Sequence, residues 1–468
     1  MKYDVAVAGA GTAGCAAALA SARKGAKTLM LERNGVLGGT ATSGLMVSWG
    51  VKGRFWDGLG EHVITGIPWE IHRKLIEMGS GHPAALKMET APYKMVFEPE
   101  DCKGLLIDLL LDAKVDILTH TMACDPVFEY RLVKGLNMEN KSGRQVVEAS
   151  QYVDCTGDLD ICRRANIHRC THAGGHSLMM RVGGVDQDAL MEYVKANRER
   201  LDPSMGGDYA YEDVIDNYYN RGYLLLFGFA GSYLGNLNIF RDIYDDAVRN
   251  GVLGRDELEF HDYAAKNELR DGMWGVDIQG IEGTAGTDIV DVWASAKCFD
   301  GSDARAVSEF EMVGHKRSRE YFHEVIRRFP GFEKSKILEI AADAGVRGSV
   351  AIDCEAEFTK QDLAHGTRHE DCVGRWANFA HWDPDVAMKA VRGADIPLRM
   401  LVPRKADNLL VAGRFCSVLR SMTSCMVMGQ GAGIAAAMAA DRGVRAASLP
   451  ADDVKSAAVE QGVNVGTA

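Results

Sequence analysis

Two sets of residues in this chain have the types and spacing to do chemistry. The first is Gly9-Ala-Gly11-Thr-Ala-Gly14, with Glu32 eighteen residues after Gly14. Glycines at these positions suit, in order, a tight turn, a close approach of an anion to the backbone, and a helix lying close to its strand. The first turn of the helix that follows presents unpaired N–H groups, so a pyrophosphate binds there without a basic side chain. A carboxylate at residue 32 accepts hydrogen bonds from ribose hydroxyls and repels a 2′-phosphate, which points to FAD or NAD and away from NADP. A further glycine pair, Gly38-Gly39, followed by Thr40-Ala-Thr42, exposes more backbone N–H groups and implies a long ligand.

The second set is polar and lies toward the C-terminus: His381 in Ala380-His-Trp-Asp-Pro384, Arg399 after Ile396-Pro-Leu, Arg420, and Cys425. A guanidinium can clamp a carboxylate or polarise a carbonyl, and an imidazole exchanges a proton near neutrality. Pro397 fixes the backbone before Arg399, so its side chain is expected to be aimed. His381, Arg399 and Arg420 are the expected catalytic group; for each the alternative is a structural ion pair or a core contact. Cys425, if buried, behaves as a small hydrophobe. His168, Cys170, His172 and His176 have metal-like spacing, but Gly174-Gly175 interrupts any helical face and no second ligand group accompanies them. A polar loop bordering a substrate cavity, with no metal, is the expectation. His365, His369 and Cys372 fall on one face of a possible helix, solvated or core.

These residues need elements to position them. Residues 3–8 read as an apolar strand, Cys15 to Lys24 as a small-residue helix that Gly25 ends, and residues 27–31 as a second strand with Glu32 at its carboxyl end. From Asp116 to Cys155 the pattern turns to short β-rich runs, with Asn140-Lys-Ser-Gly143 as a hairpin turn, and this meander leads into Cys155-Thr-Gly157-Asp158. Residues 187–275 show no fixed period. Glu309 to Ala344 reads as two amphipathic helices parted by Phe329-Pro-Gly-Phe332. Asn408 to Gly413 is a buried strand ending on glycine, and Met428-Gly-Gln-Gly-Ala-Gly433 is expected to open an alanine-rich helix to Asp441. That second glycine run lacks a preceding strand turn and a downstream acid, so it is not read as another dinucleotide fingerprint.

At 468 residues the chain is long enough for two or three domains. Its formal charge of −12, without a Lys/Arg-dense run, speaks against nucleic acid and anionic membranes as partners and leaves a small-molecule substrate as the default. The apolar start carries Asp4 and the glycine pattern and is read as part of the nucleotide fold, so no cleaved leader is expected. Ser421 to Ala440 is uncharged and long enough to span a bilayer, but Gln430 and its many small residues point to a buried helix. Eleven cysteines without a C-x-x-C pair suggest reduced thiols and a cytoplasmic location.

In their order these segments resemble the FAD-dependent oxidoreductases of the glutathione-reductase-like superclass, and most closely the bacterial family called simply FAD-dependent oxidoreductase. The matching segments are Gly9–Gly14, Glu32-Arg33, Leu37–Thr42, Cys155–Asp158, Arg181–Asp186, Phe329–Phe332, Ile396–Arg399 and Asn408–Gly433. The resemblance implies an α/β fold: a discontinuous Rossmann-like FAD/NAD(P)-binding domain, residues 1–165 and 390–468, with an inserted α+β cap or substrate domain, residues 166–389. It implies that Gly9, Gly11, Gly14 and Glu32, with Thr12 and Ala13 between them, hold the adenosine half of FAD. Arg33, Gly38, Gly39 and Thr40 would take the diphosphate, and Ala123 with Thr156, Gly157 and Asp158 would lie near adenine and ribose. Gly413, Arg414, Gly429 and Gly431 would line the ribityl and pyrimidine end, where a helix N-terminus favours an anionic reduced ring.

Two departures from the family pattern stand out: Arg414 follows Gly413 where many relatives have Asp, and a usual run of basic residues is reduced to Arg347. The implied activity is hydride transfer between a small organic substrate and non-covalent FAD, in either direction, with the electron acceptor or donor open. A flavin monooxygenase and a non-catalytic electron-transfer flavoprotein subunit are the alternatives. The long stretch between the two FAD segments favours a substrate site over the latter.

Overall fold

The structure is a computed structural model and describes residues 2–51, 54–91, 94–171, 173–201, 210–228, 234–266, 268–277, 280–348, 350–377, 392–416 and 418–466. The strand Lys2–Ala8 is its centre. Val5 and Val7 face a helical layer, while Ala6 and Ala8 face a β layer, and all four are buried. A strand covered on both faces needs an apolar run without polar alternation, and this one has it.

Parallel to that strand lie Thr28–Leu31 and then Asp116–Leu118 on one side, and the C-terminal half of Gly143–Asp154 on the other. Leu409–Val411 pairs in parallel beyond it. The result is a five-stranded parallel sheet closed by a strand from the far end of the chain. Gly143–Asp154 is long enough to serve two layers: its first half pairs antiparallel with Leu132–Asn140, which pairs with Met122–Glu129. The Asn140–Gly143 hairpin thus forms as its sequence predicts. The Asn408 amide joins the layers, donating to the carbonyls of Val133 and Ser150 at 2.9 and 3.2 Å. Ile117 was expected in the meander; instead its strand, following the helix Pro99–Asp112, extends the parallel sheet beside Thr28–Leu31.

The helix after the glycine turn runs Thr12–Arg23, starting three residues earlier than its sequence suggests, because Gly11 takes the N-cap position. Packed along it is Met422–Arg442, almost wholly buried. By length and composition this helix resembles a membrane span, but 94% of its apolar window is covered by protein. It begins at Met422 and not at Met428, because the Ser421 hydroxyl caps it by accepting from the Ser424 N–H.

A second, antiparallel sheet is drawn wholly from residues 173–340. Its order is Tyr223–Phe227, Gly280–Thr284, Ile289–Asp300, Ala173–Gly183 and Lys336–Ile340, with Trp274–Val276 also paired to Ile289–Asp300. The helix Ala304–Glu324 packs on it. The two helices expected from Glu309 to Ala344 are therefore one helix and one strand. After the Phe329–Phe332 turn, Lys336–Ile340 finds partners in Met180–Gly183, and long-range pairing overrides its weak helical pattern. The expected helix face of His365, His369 and Cys372 does not form either: the helix ends at His365 on Gly366, and Cys372 opens the strand Cys372–Trp376.

Candidate functional site

The glycine turn is built by collisions that side chains would cause. Gly9 has φ +91° and lies so close to the Cys155 carbonyl that a β-carbon would overlap it. A β-carbon on Gly14 would likewise overlap the Gly9 carbonyl, so the helix sits directly on the turn. At Gly11 there is nothing within 4 Å: this position faces open space where an anion can reach the backbone. No acidic residue stands in the first turn of Thr12–Arg23, and its cap residue carries no side chain to claim the free N–H groups.

The second glycine loop lies on the first. The Gly38 N–H donates to the Ala10 carbonyl at 2.8 Å, and Gly39 comes close enough to Gly11 that a β-carbon there would stand 3.0 Å from its Cα. Glu32 ties both loops together, its two carboxylate oxygens accepting from the N–H of Ala10 at 2.6 Å and of Asn34 at 2.8 Å. Each oxygen keeps a lone pair for a ribose hydroxyl. The Glu32 carbonyl accepts from the Thr121 N–H at 2.8 Å, which brings the strand carrying Ala123 alongside. Arg33 is exposed and Thr40 half-buried at the rim.

Where the strand Gly143–Asp154 ends, buried Asp154 organises the next turn. Its oxygens accept from the Thr156 N–H and hydroxyl, at 3.2 and 2.7 Å, and from the Cys162 N–H at 3.0 Å. Burial raises its pKa to about 6, and these hydrogen bonds oppose the rise. Gly157, with φ +88°, makes room for the Arg414 guanidinium, which pairs with Asp158 at 2.8 Å. Gly413, with φ +128°, faces open space. Openings at Gly11 and Gly413, together with the unclaimed helix N-terminus between the glycine loops, fit an extended dinucleotide. Gly429 and Gly431 do not join this set: they lie two to three turns inside the helix, Gly429 against the Ala13 carbonyl and Gly431 against Val373. Their small size serves packing.

The three expected catalytic residues part company. His381 lies outside the described residues. Arg399 is exposed and held by Asp371, its Nε and Nη2 donating to the two carboxylate oxygens at 3.0 and 3.1 Å, and its backbone N–H donating at 2.9 Å. The fixed backbone at Pro397 aims it, but at a carboxylate of the protein itself. Of the two that are described, Arg420 remains a candidate. It precedes the cap residue Ser421, is solvent-accessible, and has no hydrogen-bond or ion-pair partner among the described residues. Surrounding protein, then Arg347 and Arg54, push its pKa down to about 10. Nearby Cys425 is buried, which pushes its thiol up to about 12 and leaves it neutral.

A buried polar network stands in and beside the second sheet. Asp277 is fully buried and accepts from His261 Nε2 at 2.7 Å, from the Ser177 hydroxyl, and from Arg347 Nη2 at 3.0 Å. Despite its burial, His261 and Arg347 hold its pKa below the usual carboxylate value. His176 supports the backbone of Arg347: its Nδ1 accepts the Arg347 N–H at 3.1 Å, so Nε2 carries the proton donated to the Phe299 carbonyl at 3.0 Å. Burial lowers the His176 pKa to about 4, with Arg347 and Arg414 adding to the effect. Both ring nitrogens are committed. Of the expected His/Cys cluster, Cys170 is exposed and His172 lies outside the described residues, and no group of three or more His, Cys, Asp or Glu could hold a metal among the described residues. His261, Asp277 and Arg54 carried no signal in the sequence, because their partners come from other strands. Arg347 could be noticed only as the remnant of a basic run.

A family model described as FAD dependent oxidoreductase matches residues 4–457. A comparison with curated proteins gives no significant match. Among solved structures, a geranylgeranyl bacteriochlorophyll reductase-like protein from Thermoplasma acidophilum is 14% identical over 99% of this chain and 84% of its own, with a TM-score of 0.47. A flavin-dependent brominase is 10% identical over 98% of this chain and 83% of its own, at 0.45. The p-nitrophenol 4-monooxygenase of Pseudomonas putida DLL-E4 is 10% identical over 98% and 88%, at 0.44.

Proposed function

The chain belongs to the FAD-dependent oxidoreductase family, and from that premise we propose that it transfers a hydride between a small organic substrate and FAD held without a covalent bond. FAD, when bound, supplies the two-electron chemistry; the chain binds, orients and excludes water. In this reading residues 1–165 and 390–468 hold the cofactor, and residues 166–389 form the cap that faces the substrate. The observation that carries it is the buried Asp277 of the cap sheet, which together with Ser177 and His176 fixes the cation of Arg347. An electron-carrying subunit has no use for a polar floor delivered by a second sheet, whereas a substrate site requires one. Ser177 and Asp277 fix the guanidinium of Arg347, and His176 fixes its backbone. Since His176 stays neutral at physiological pH, it maintains this geometry and does not trade a proton.

The test is anaerobic reduction of the purified yellow protein by a panel of sugars, hydroxy acids, steroids and reduced nicotinamides. Rapid bleaching of the flavin by one organic donor, with slow bleaching by NADPH, is expected. Fast bleaching by NADPH alone, followed by oxygen consumption that a second organic compound stimulates, would establish a monooxygenase instead.

A further inference from the structure

Residues 341–347, which follow the strand Lys336–Ile340, form neither helix nor ladder strand, yet every backbone N–H among them donates a hydrogen bond. Ala341, Gly345 and Arg347 donate to the second sheet: to the carbonyls of Met179 and Ser177 at 2.9 and 2.8 Å, and to His176 Nδ1 at 3.1 Å. Ala344 donates to Glu311 of the helix Ala304–Glu324 at 3.0 Å, and Val346 closes on the Ala344 carbonyl at 2.9 Å. The other two cross to the nucleotide-binding part, where Ala342 and Asp343 both donate to the Ser43 carbonyl, at 2.9 and 3.2 Å. An irregular stretch bonded at every amide is held in one arrangement.

The Asp343 side chain makes the same crossing. Its Oδ2 accepts from the Ser43 hydroxyl at 2.7 Å and from the Asn34 amide at 2.8 Å, and these two residues lie on either side of Gly38-Gly39. Both donors are tied to the nucleotide site. The Asn34 N–H donates to Glu32 at 2.8 Å, and the Ser43 hydroxyl also lies 3.1 Å from the Gly39 carbonyl. A hydroxyl has one hydrogen, and the nearer carboxylate takes it. One carboxylate oxygen thus grips both ends of the second glycine loop. Four residues on, Arg347 is held by His176, Ser177 and Asp277. Direct contacts therefore run from the opening at Gly11 to Gly39, from Ser43 to Asp343, from Gly345 to Ser177 and from Ser177 to Arg347.

We propose that Asp343 is the positioning residue that ties Arg347 to the cofactor loop, so that the cation on the substrate side is set in place when a dinucleotide fixes residues 34–43. Asp343 acts through Asn34, Ser43 and the backbone of residues 341–347. The inference rests on the reading above, in which Arg347 serves the substrate side, but its test needs only bound FAD.

Hydrogen–deuterium exchange of the full chain, FAD-free and FAD-loaded, reads the two segments separately. In wild type, FAD is expected to slow exchange by about 10-fold both in residues 33–43 and in residues 341–347. Asp343→Ala at saturating FAD should keep the protection of residues 33–43 and lose the 10-fold protection of residues 341–347, the scale of a lost charge-assisted hydrogen bond. Asp343→Asn keeps an accepting oxygen and should restore it, a rescue that general loosening of the fold does not give. Where Asp343→Ala does not fold, Ser43→Ala removes the shorter contact and should cut the FAD-induced protection of residues 341–347 by about 3-fold or more. Wild-type protein whose residues 341–347 exchange alike with and without FAD would overturn the proposal. So would an Asp343→Ala or Ser43→Ala variant that keeps the full FAD-induced protection there. If exchange responds as expected but no organic donor bleaches the flavin, the coupling stands and the hydride-transfer reading falls. If a donor bleaches the flavin while residues 341–347 ignore FAD, the reading stands and the coupling falls.

Discussion

Gly429 lies against the carbonyl oxygen of Ala13 so closely that a β-carbon at residue 429 would overlap it, and Gly433 repeats the contact on Ala17. The two long helices therefore touch backbone to backbone, in parallel and in register. This contact couples the cofactor turn to the head of the C-terminal helix, where Arg420 sits, although the two are separated by some four hundred residues of chain. A displacement of one helix would move both ends of the site.

Gly429→Ala should accordingly lower the thermal midpoint of the FAD-free protein, with a cost of about 1–3 kcal/mol for overpacking a tight core. Differential scanning fluorimetry of the apoprotein reads this directly. A variant as stable as wild type that has merely lost FAD affinity would restore Gly429 to the list of cofactor contacts.

The glycines of the turn should separate fold from binding. Gly14→Ala collides with the Gly9 carbonyl and is expected to destabilise the apoprotein, whereas Gly11→Ala meets open space and should leave its midpoint within about 1 °C. Gly11→Ala should nonetheless weaken FAD binding at least 10-fold, because the new methyl occupies the approach of the pyrophosphate. Fluorescence quenching of added FAD gives the affinity. Equal affinity in Gly11→Ala and wild type would remove the phosphate from that opening.

Arg399→Ala breaks a part-buried, two-point ion pair with Asp371, which contributes about 1–2 kcal/mol. Its expected outcome is an unchanged rate of flavin reduction and a small fall in midpoint that salt also produces. A loss of 100-fold in rate at normal FAD content would return Arg399 to the active site.

Acid sensitivity should come from buried neutral histidines. Trp49 Nε1 donates to His72 Nδ1 at 2.9 Å and His72 Nε2 donates to the Ala85 carbonyl at 2.9 Å; burial lowers the His72 pKa to about 4, and His62 and His176 are likewise lowered to about 4. Between pH 6.5 and 4 the unfolded chain binds protons that these folded rings refuse. Their stabilisation is therefore complete above pH 6.5 and is lost as pH falls toward 4. Asp154, raised to about 6, acts in the opposite sense, its contribution falling as pH rises from 3.8 to 6. Thermal melts across this window should show a falling midpoint on acidification, and His72→Gln, which can keep both hydrogen bonds, should make the fall shallower. An unaltered acid slope in that variant would mean His72 is not buried neutral.

The cofactor end was legible in the sequence because it is local. Gly9, Gly11, Gly14 and Glu32 sit within one strand, turn, helix and strand, and the physics that assigns each its role acts between near neighbours: a positive φ, an overlap, a helix end. The same holds for the Asn140–Gly143 hairpin. What the sequence misjudged depends on partners brought from elsewhere. Met428–Gly433 was expected to open a helix at the pyrimidine end, yet the helix starts at Met422 and Gly429 and Gly433 are small where they meet Ala13 and Ala17. Arg399 and Arg420 are equivalent as letters; only the fold gives one of them Asp371 and leaves the other exposed without an ion-pair partner among the described residues. The support of Arg347 by His176, Ser177 and Asp277 joins residues 70 to 171 positions apart. Such contacts follow from strand pairing and burial across two sheets, where the energy lies in long-range desolvation and hydrogen bonding, and no local spacing encodes them.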